Sequence, residues 1–187
     1  MDEPITNGVD LRELIVYACP IGPLADQLQH YYARAQREFG LNAAHRYPAH
    51  ITLTGFFHDV PASIPSYLSW LTDSLKQAEY PAQIVITELM CEPHFHGLLI
   101  DSPWLRRLAA HFAALAQSPT RVDAVRLKDW LHLSLAYEFL PKQHAGLTTL
   151  AQTCVDLHAY VDWDVRFYER MSGDAWHCHG AWPLGKA

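Results

Sequence analysis

Apolar and polar residues alternate along this chain with two different periods, and the changes of period mark out its elements. Residues 11–18 (LRELIVYA) read as a strand, stopped by Pro20, Gly22 and Pro23. In residues 24–39 the apolar positions Leu24, Leu28, Tyr31, Tyr32, Ala35 and Phe39 recur at helical spacing, and Gly40 supplies a stop. Residues 42–49 read as a loop, and 49–57 (AHITLTGFF) as a strictly alternating strand. A second helix is predicted over 63–79, with Pro65 tolerated in its first turn. Strands follow at 82–91 and 95–100, with Glu92 and Pro93 turning between them. A third helix is predicted over 103–116, an irregular stretch over 121–129 and an alternating strand over 131–137 (LHLSLAY). A fourth helix is predicted over 143–157, then strands over 160–170 and 176–184 joined at Ser172, Gly173 and Asp174.

Written as a string, the order is β-α-β-α-β-β-α-β-α-β-β. The strand with His50 is preceded by a helix and followed by a helix and a strand pair, and the strand with His132 is set in the same company. This is an internal repeat of element order with little residue identity. Gly-rich βα turns are too few for a doubly wound sheet. The expected class is α+β: two pseudo-symmetric lobes, each an antiparallel sheet with helices outside, around a central cleft. Residues 1–10 are expected to be a loose terminus, and 11–187 one bilobal domain.

The two motif strands carry the candidate chemistry. His50-Ile51-Thr52-Leu53 and His132-Leu133-Ser134-Leu135 share the form His-apolar-hydroxyl-apolar. Side chains on a strand point alternately to opposite faces, so each strand would bury its aliphatic side and present one imidazole and one hydroxyl together. Two imidazoles with ordinary pKa near 6.5 suit a general base and a general acid at neutral pH. The Thr52 and Ser134 hydroxyls could donate to phosphate oxygens as charge develops on them. A lone His-x-Thr carries little information; two such motifs at matching points of a repeat carry much more.

On these motifs the chain resembles the two-histidine (LigT-like) phosphoesterase superfamily. The likeness is sharpest to the phosphoesterase domain of the T-cell ubiquitin ligand proteins. Pro48-Ala49-His50-Ile51-Thr52-Leu53 with Phe56-Phe57, and Leu131 to Tyr137 with Phe139, Leu140 and Pro141, carry that likeness. Ser134 stands where some relatives have Thr, and Arg166 is matched to a stretch after the last helix. The resemblance implies a two-lobed fold and action on cyclic phosphodiesters, often 2′,3′-cyclic nucleotides or RNA ends.

Composition narrows the partners. The formal net charge of -6 over 187 residues argues against wrapping long duplex nucleic acid, which needs surplus Lys and Arg, but leaves room for a small nucleotide or RNA end. Tyr17, Phe56, Trp130, Tyr137 and Arg166 are the candidate substrate contacts, the aromatics by stacking; for each aromatic, core packing is the competing reading. Arg121, Arg126 and Lys128 could line the side from which phosphate approaches, though a solvated loop is the plainer reading. His94-x-His96 and His177-x-His179 lack further ligands at metal spacing, so partly exposed strand histidines, with no metal and no cofactor, are expected. Four scattered cysteines, no apolar leader and no run of roughly 20 apolar residues point to a reduced, cytoplasmic protein off the membrane. The oligomeric state is not encoded legibly. Two other readings stay open: a binding module for a phosphorylated nucleotide, and RNA-end processing by transesterification.

Overall fold

The computed structural model describes residues 10–78 and 81–184. The terminus assigned to 1–10 therefore lies outside the described residues, apart from Asp10.

Strand β1 (Arg12–Ile21) is the middle of the molecule, and its sequence explains why. Leu14, Val16 and Ala18 face one way, Ile15, Tyr17 and Cys19 the other, and all six are buried. A strand apolar on both faces belongs inside a sheet. From Glu13 to its end β1 pairs antiparallel with β7 (Asp162–Arg170), which pairs in turn with β8 (Trp176–Pro183). On the other side of β1 lie β2 (Ile51–Thr52) and β3 (Phe57–Asp59). The hairpin of β4 (Val85–Glu92) and β5 (Phe95–Asp101) pairs with β6 (His132–Tyr137). The strand order is β4-β5-β6-β2-β1-β7-β8, with β3 beside β1.

The two halves of the sheet meet at one registered pair, Ile51 on β2 against Leu133 on β6. Both side chains are fully buried in the main core. Leu98, Leu133, Ile51, Ala18 and Val165 follow one another across five strands by register and carry the core over this seam. Truncating a fully buried Leu typically costs about 2–5 kcal/mol. Leu133→Ala is therefore expected to lower unfolding stability by that amount in a denaturant titration. A cost under about 1 kcal/mol would mean that the seam relaxes around the void.

Helices α1 (Pro23–Phe39), α2 (Ile64–Gln77), α3 (Pro103–Leu115) and α4 (His144–Cys154) all supply buried residues to this core, so they cover the same sheet face. They pack in pairs, α1 with α4 and α2 with α3. The element order helix, motif strand, helix, hairpin occurs twice, as the sequence pattern predicts. The hairpins are exchanged, however. The one after α2 flanks the second motif strand, and the one after α4 joins β1 beside the first.

The sequence reading differs from the structure at the first motif strand and at the end of α4. The strand predicted over 49–57 is broken: only Ile51–Thr52 and Phe57–Asp59 are strand. The amides of Leu53 and Thr54 both turn to the Val16 carbonyl, and Gly55 N donates to Arg126 O at 2.7 Å, so the chain leaves the ladder between them. The stretch predicted as irregular over 121–129 is tied to this break through a Thr54–Leu127 bridge and Val122 N donating to His58 O. Helix α4 stops at Cys154 instead of 157, with Val155 N capping on Ala151 O.

His96 also departs from expectation. It is fully buried on the helix-covered face, against Phe139, with its Nε2 3.0 Å from His144 Nδ1. Burial pushes its pKa down to about 4. His179 is half-buried and sits 2.8 Å from the Glu169 carboxylate. No helix among the described residues is long and apolar enough to cross a membrane.

Candidate active site

The motif side chains project from the sheet face that the helices leave open. Alternation puts Ile51 and Leu133 in the core, so Thr52, His132 and Ser134 point the other way. The register then decides who meets whom. Ile51 opposes Leu133 in an antiparallel pair, so one step along each strand His50 comes opposite Ser134, and Thr52 opposite His132. Each histidine is thus set against the hydroxyl of the other motif. The same face continues through Tyr17, registered on Thr52, to Arg166, registered on Tyr17.

His50 is held on three sides. Its Nδ1 lies 2.6 Å from the Pro48 carbonyl oxygen, which can only accept, so Nδ1 carries the proton. Nε2 is then the bare lone pair, and the Thr52 hydroxyl donates to it at 2.9 Å. The Tyr17 ring stacks on the imidazole with centroids 3.7 Å apart and planes inclined by 27°. Burial is the main reason that the pKa of His50 falls to about 4; the Pro48 carbonyl works against the shift, and the neighbouring charge of His132 adds to it. His50 is therefore neutral at pH 7, with its acceptor nitrogen directed at the site hydroxyl.

His132 is framed by aromatics of a different kind. Trp130 lies over it at 4.0 Å between centroids, and Phe95 meets it edge-on at 5.2 Å. Its pKa is lowered from the ordinary value, first by burial and then by the charge of Lys128. The Trp130 backbone, two residues upstream like Pro48, acts in the opposite sense. Yet no hydrogen bond of proper geometry closes, and Nδ1 is buried without a partner among the described residues. This imidazole is therefore less tightly fixed than His50.

Gly97, registered on Ser134, is what lets Phe95 reach His132. A Cβ there would collide with the Phe95 ring and would lie 2.7 Å from the Leu133 carbonyl oxygen. Gly97→Ala is expected to cost about 1–3 kcal/mol through this overpacking, against the usual small gain from replacing Gly in a strand. Thermal or denaturant melts check this; a neutral or stabilising result would mean that Phe95 moves aside freely.

Beside His50 a cavity of about 220 Å³ is lined by Tyr17, Tyr47, Thr52, Phe56, Arg126, Lys128 and Tyr137, among others. No carboxylate is in that lining. Arg170 covers its aromatic wall, 5.7 Å from the centroids of both Tyr47 and Phe56, and Trp176 stacks behind Phe56. A larger cavity, about 510 Å³, opens between α2 and α3 around Trp104, Leu108 and His111, on the helix-covered face away from the motifs. It offers a single imidazole and no motif residue.

Of the residues singled out from sequence, His50, Thr52, Tyr17, Phe56 and Tyr137 gather at this cavity, and His132 and Ser134 adjoin it through the register. Trp130 packs on His132 and is half exposed. Arg166 is placed differently. Its guanidinium donates to Asp164 and to the Tyr168 hydroxyl, one strand beyond Tyr17, and it is not in the cavity lining. Sequence reasoning passed over Trp176 as a site residue, and it left Arg126 and Lys128 as solvated loop. The alternation of Arg126, Leu127 and Lys128 was the available signal: Leu127 bridges to Thr54 while its two neighbours face the cavity.

The chain is similar to larger proteins over most of its own length. It is 31% identical over 175 residues to human ubiquitin-associated and SH3 domain-containing protein B, a match that covers 91% of this chain and 26% of that protein. It is 29% identical over 201 residues to the ecdysteroid-phosphate phosphatase of Drosophila melanogaster, covering 85% and 26%. The chain thus spans about a quarter of the length of these relatives. Its fold matches that of Escherichia coli LigT, with a TM-score of 0.54 at 15% identity, over 95% of this chain and 99% of that one. No family model matches the chain.

Proposed function

We propose that this chain, which belongs to the two-histidine phosphoesterase superfamily, hydrolyses a small cyclic phosphodiester, a 2′,3′-cyclic nucleotide or an RNA 2′,3′-cyclic phosphate end. The observation that carries this reading is the tautomer of His50. With the Pro48 carbonyl holding the proton on Nδ1, the free Nε2 is set up to take a proton from water. The water oxygen attacks phosphorus, and His132, in its protonated form, gives a proton to the departing ribose oxygen. Thr52 and Ser134 donate to the non-bridging oxygens, each beside the histidine of the other motif. Thr52 must turn from His50 to the phosphate as substrate arrives, which frees Nε2 for the water. Two imidazoles and two hydroxyls supply proton transfer and anion binding without need of a metal. The names of the curated relatives belong to proteins about four times as long, so their substrates are not transferred.

Turnover of 2′,3′-cyclic nucleotides, 3′,5′-cyclic nucleotides and short oligonucleotides, measured in EDTA, tests the reading. Hydrolysis of the 2′,3′-cyclic members that persists in EDTA is expected. Activity abolished by EDTA would sink the metal-independent mechanism. Binding with no turnover of any member would leave a nucleotide-binding module instead.

A further inference from the structure

The cavity beside His50 is small for a nucleotide. At about 220 Å³ it lies below the usual 300–1,000 Å³ of small-molecule sites. On the phosphodiesterase reading it takes the ribose cyclic phosphate, and whatever else the substrate carries passes out between its walls. One wall is aromatic, made of Tyr47 and Phe56. The other is cationic, made of Arg126 and Lys128.

The backbone that carries those two exposed cations is fixed. Thr54 bridges to Leu127, and Gly55 N donates to Arg126 O, so the segment is pinned to the first motif strand. The Arg126 guanidinium lies alongside Gly55, its Nε and Nη2 at ordinary contact distance, 3.4–3.5 Å, from where a Cβ would sit. Neither Arg126 nor Lys128 is in an ion pair among the described residues. Asp123, which feels the charge of Arg126, is taken up by His58 through its amide at 2.7 Å and its Nδ1 at 2.9 Å. In a chain of net charge -6, two cations without an ion pair among the described residues line a cavity with no carboxylate in its lining, an arrangement that favours an anion.

We propose that Arg126 and Lys128 form a second-phosphate subsite, so that the preferred substrate carries another phosphate one nucleoside away from the scissile one. The proposal rests on the phosphodiesterase reading for the place of the first phosphate. The second phosphate has two sources: a terminal 5′-phosphate on a mononucleotide, or the internucleotide link of an RNA end.

Binding decides between them without depending on turnover. Calorimetry would compare adenosine 3′-monophosphate, adenosine 3′,5′-bisphosphate and the dinucleotide ApA 3′-phosphate. Wild-type protein is expected to bind at least one of the two-phosphate ligands about tenfold or more tightly than the monophosphate, with a steeper salt dependence. In Arg126→Gln/Lys128→Gln that ratio should collapse to within about twofold, whereas Lys76→Gln/Lys142→Gln, the same charge change elsewhere, should keep it. A gain confined to the bisphosphate points to the terminal phosphate; a gain for the dinucleotide points to the internucleotide link. A ratio near one in wild type, or a ratio that survives in the Arg126/Lys128 variant, overturns the subsite. Binding of none of the three overturns the subsite together with the phosphodiesterase reading. Binding with the expected ratio but no turnover of the 2′,3′-cyclic nucleotides overturns the hydrolytic reading alone.

Discussion

His50→Ala and His132→Ala should each lower kcat/KM on a 2′,3′-cyclic nucleotide by about 10²–10⁴-fold, the usual worth of one general acid or base. The two losses should not respond alike to the leaving group. A nitrophenolate departs without needing a proton, so a nitrophenyl phosphodiester makes the general acid dispensable. With that substrate His132→Ala is expected to recover most of its loss, while His50→Ala stays impaired because water must still be deprotonated. Recovery in the His50 variant instead would reverse the roles. Equal recovery in both would remove acid and base catalysis from the account. Melting curves belong beside these rates, because His50 stacks on buried Tyr17 and its removal leaves a gap.

The second large effect is in pH. On the proposed mechanism the free enzyme is competent when His50 is neutral and His132 is protonated. Burial holds the His50 pKa down to about 4, so its limb rises with pH through that value. The His132 pKa is also lowered, by burial and by the charge of Lys128, so its limb falls as pH passes a value below the ordinary 6.5. The expected profile of kcat/KM is a bell with its optimum on the acid side, between about 4 and 6.5. A bound phosphate anion favours both imidazolium forms, so the profile of kcat should be displaced to higher pH. Removing the charge in Lys128→Gln should move the falling limb of kcat/KM upward, since it relieves one of the two causes of the His132 shift. Initial rates across pH 4 to 8 check this, and an optimum of kcat/KM above pH 7, or a flat profile, would contradict the assignment.

Most of the strands and helices could be read from local pattern because each has an apolar face that must be buried. The period of 3.6 in α1 and the period of two in β6 are direct consequences of that need. The face shared by His132 and Ser134 came with the alternation, since Leu133 and Leu135 had to go inward. What was hidden depends on pairing between distant segments. The break after Thr52 follows from amides that turn to Val16 and from Gly55 donating to Arg126, neither of which leaves a periodic trace. His96 looked like a surface residue on composition alone. Its burial follows from the bulge between His96 and Gly97 and from its contact with His144 at the start of α4. The crosswise meeting of each histidine with the other hydroxyl is likewise a fact of register, and two motifs in a sequence do not specify their register.

The exchange of hairpins has a consequence for how this chain can be divided. The β4–β5 hairpin, which follows the first motif in sequence, is the neighbour that β6 needs, and the β7–β8 hairpin is the neighbour that β1 needs. A cut between α2 and β4 would strand each motif away from half of its ladder and leave exposed strand edges on both pieces. The same cut would part each imidazole from its crosswise hydroxyl. Neither fragment would hold the proposed reaction centre, but the two are complementary, and each edge is the template for the other. Reconstitution from separated fragments is thus favoured by the same interleaving that forbids either one from working by itself. A half-length chain with one motif could build such a centre only as a symmetric pair of copies, each lending the other its hydroxyl.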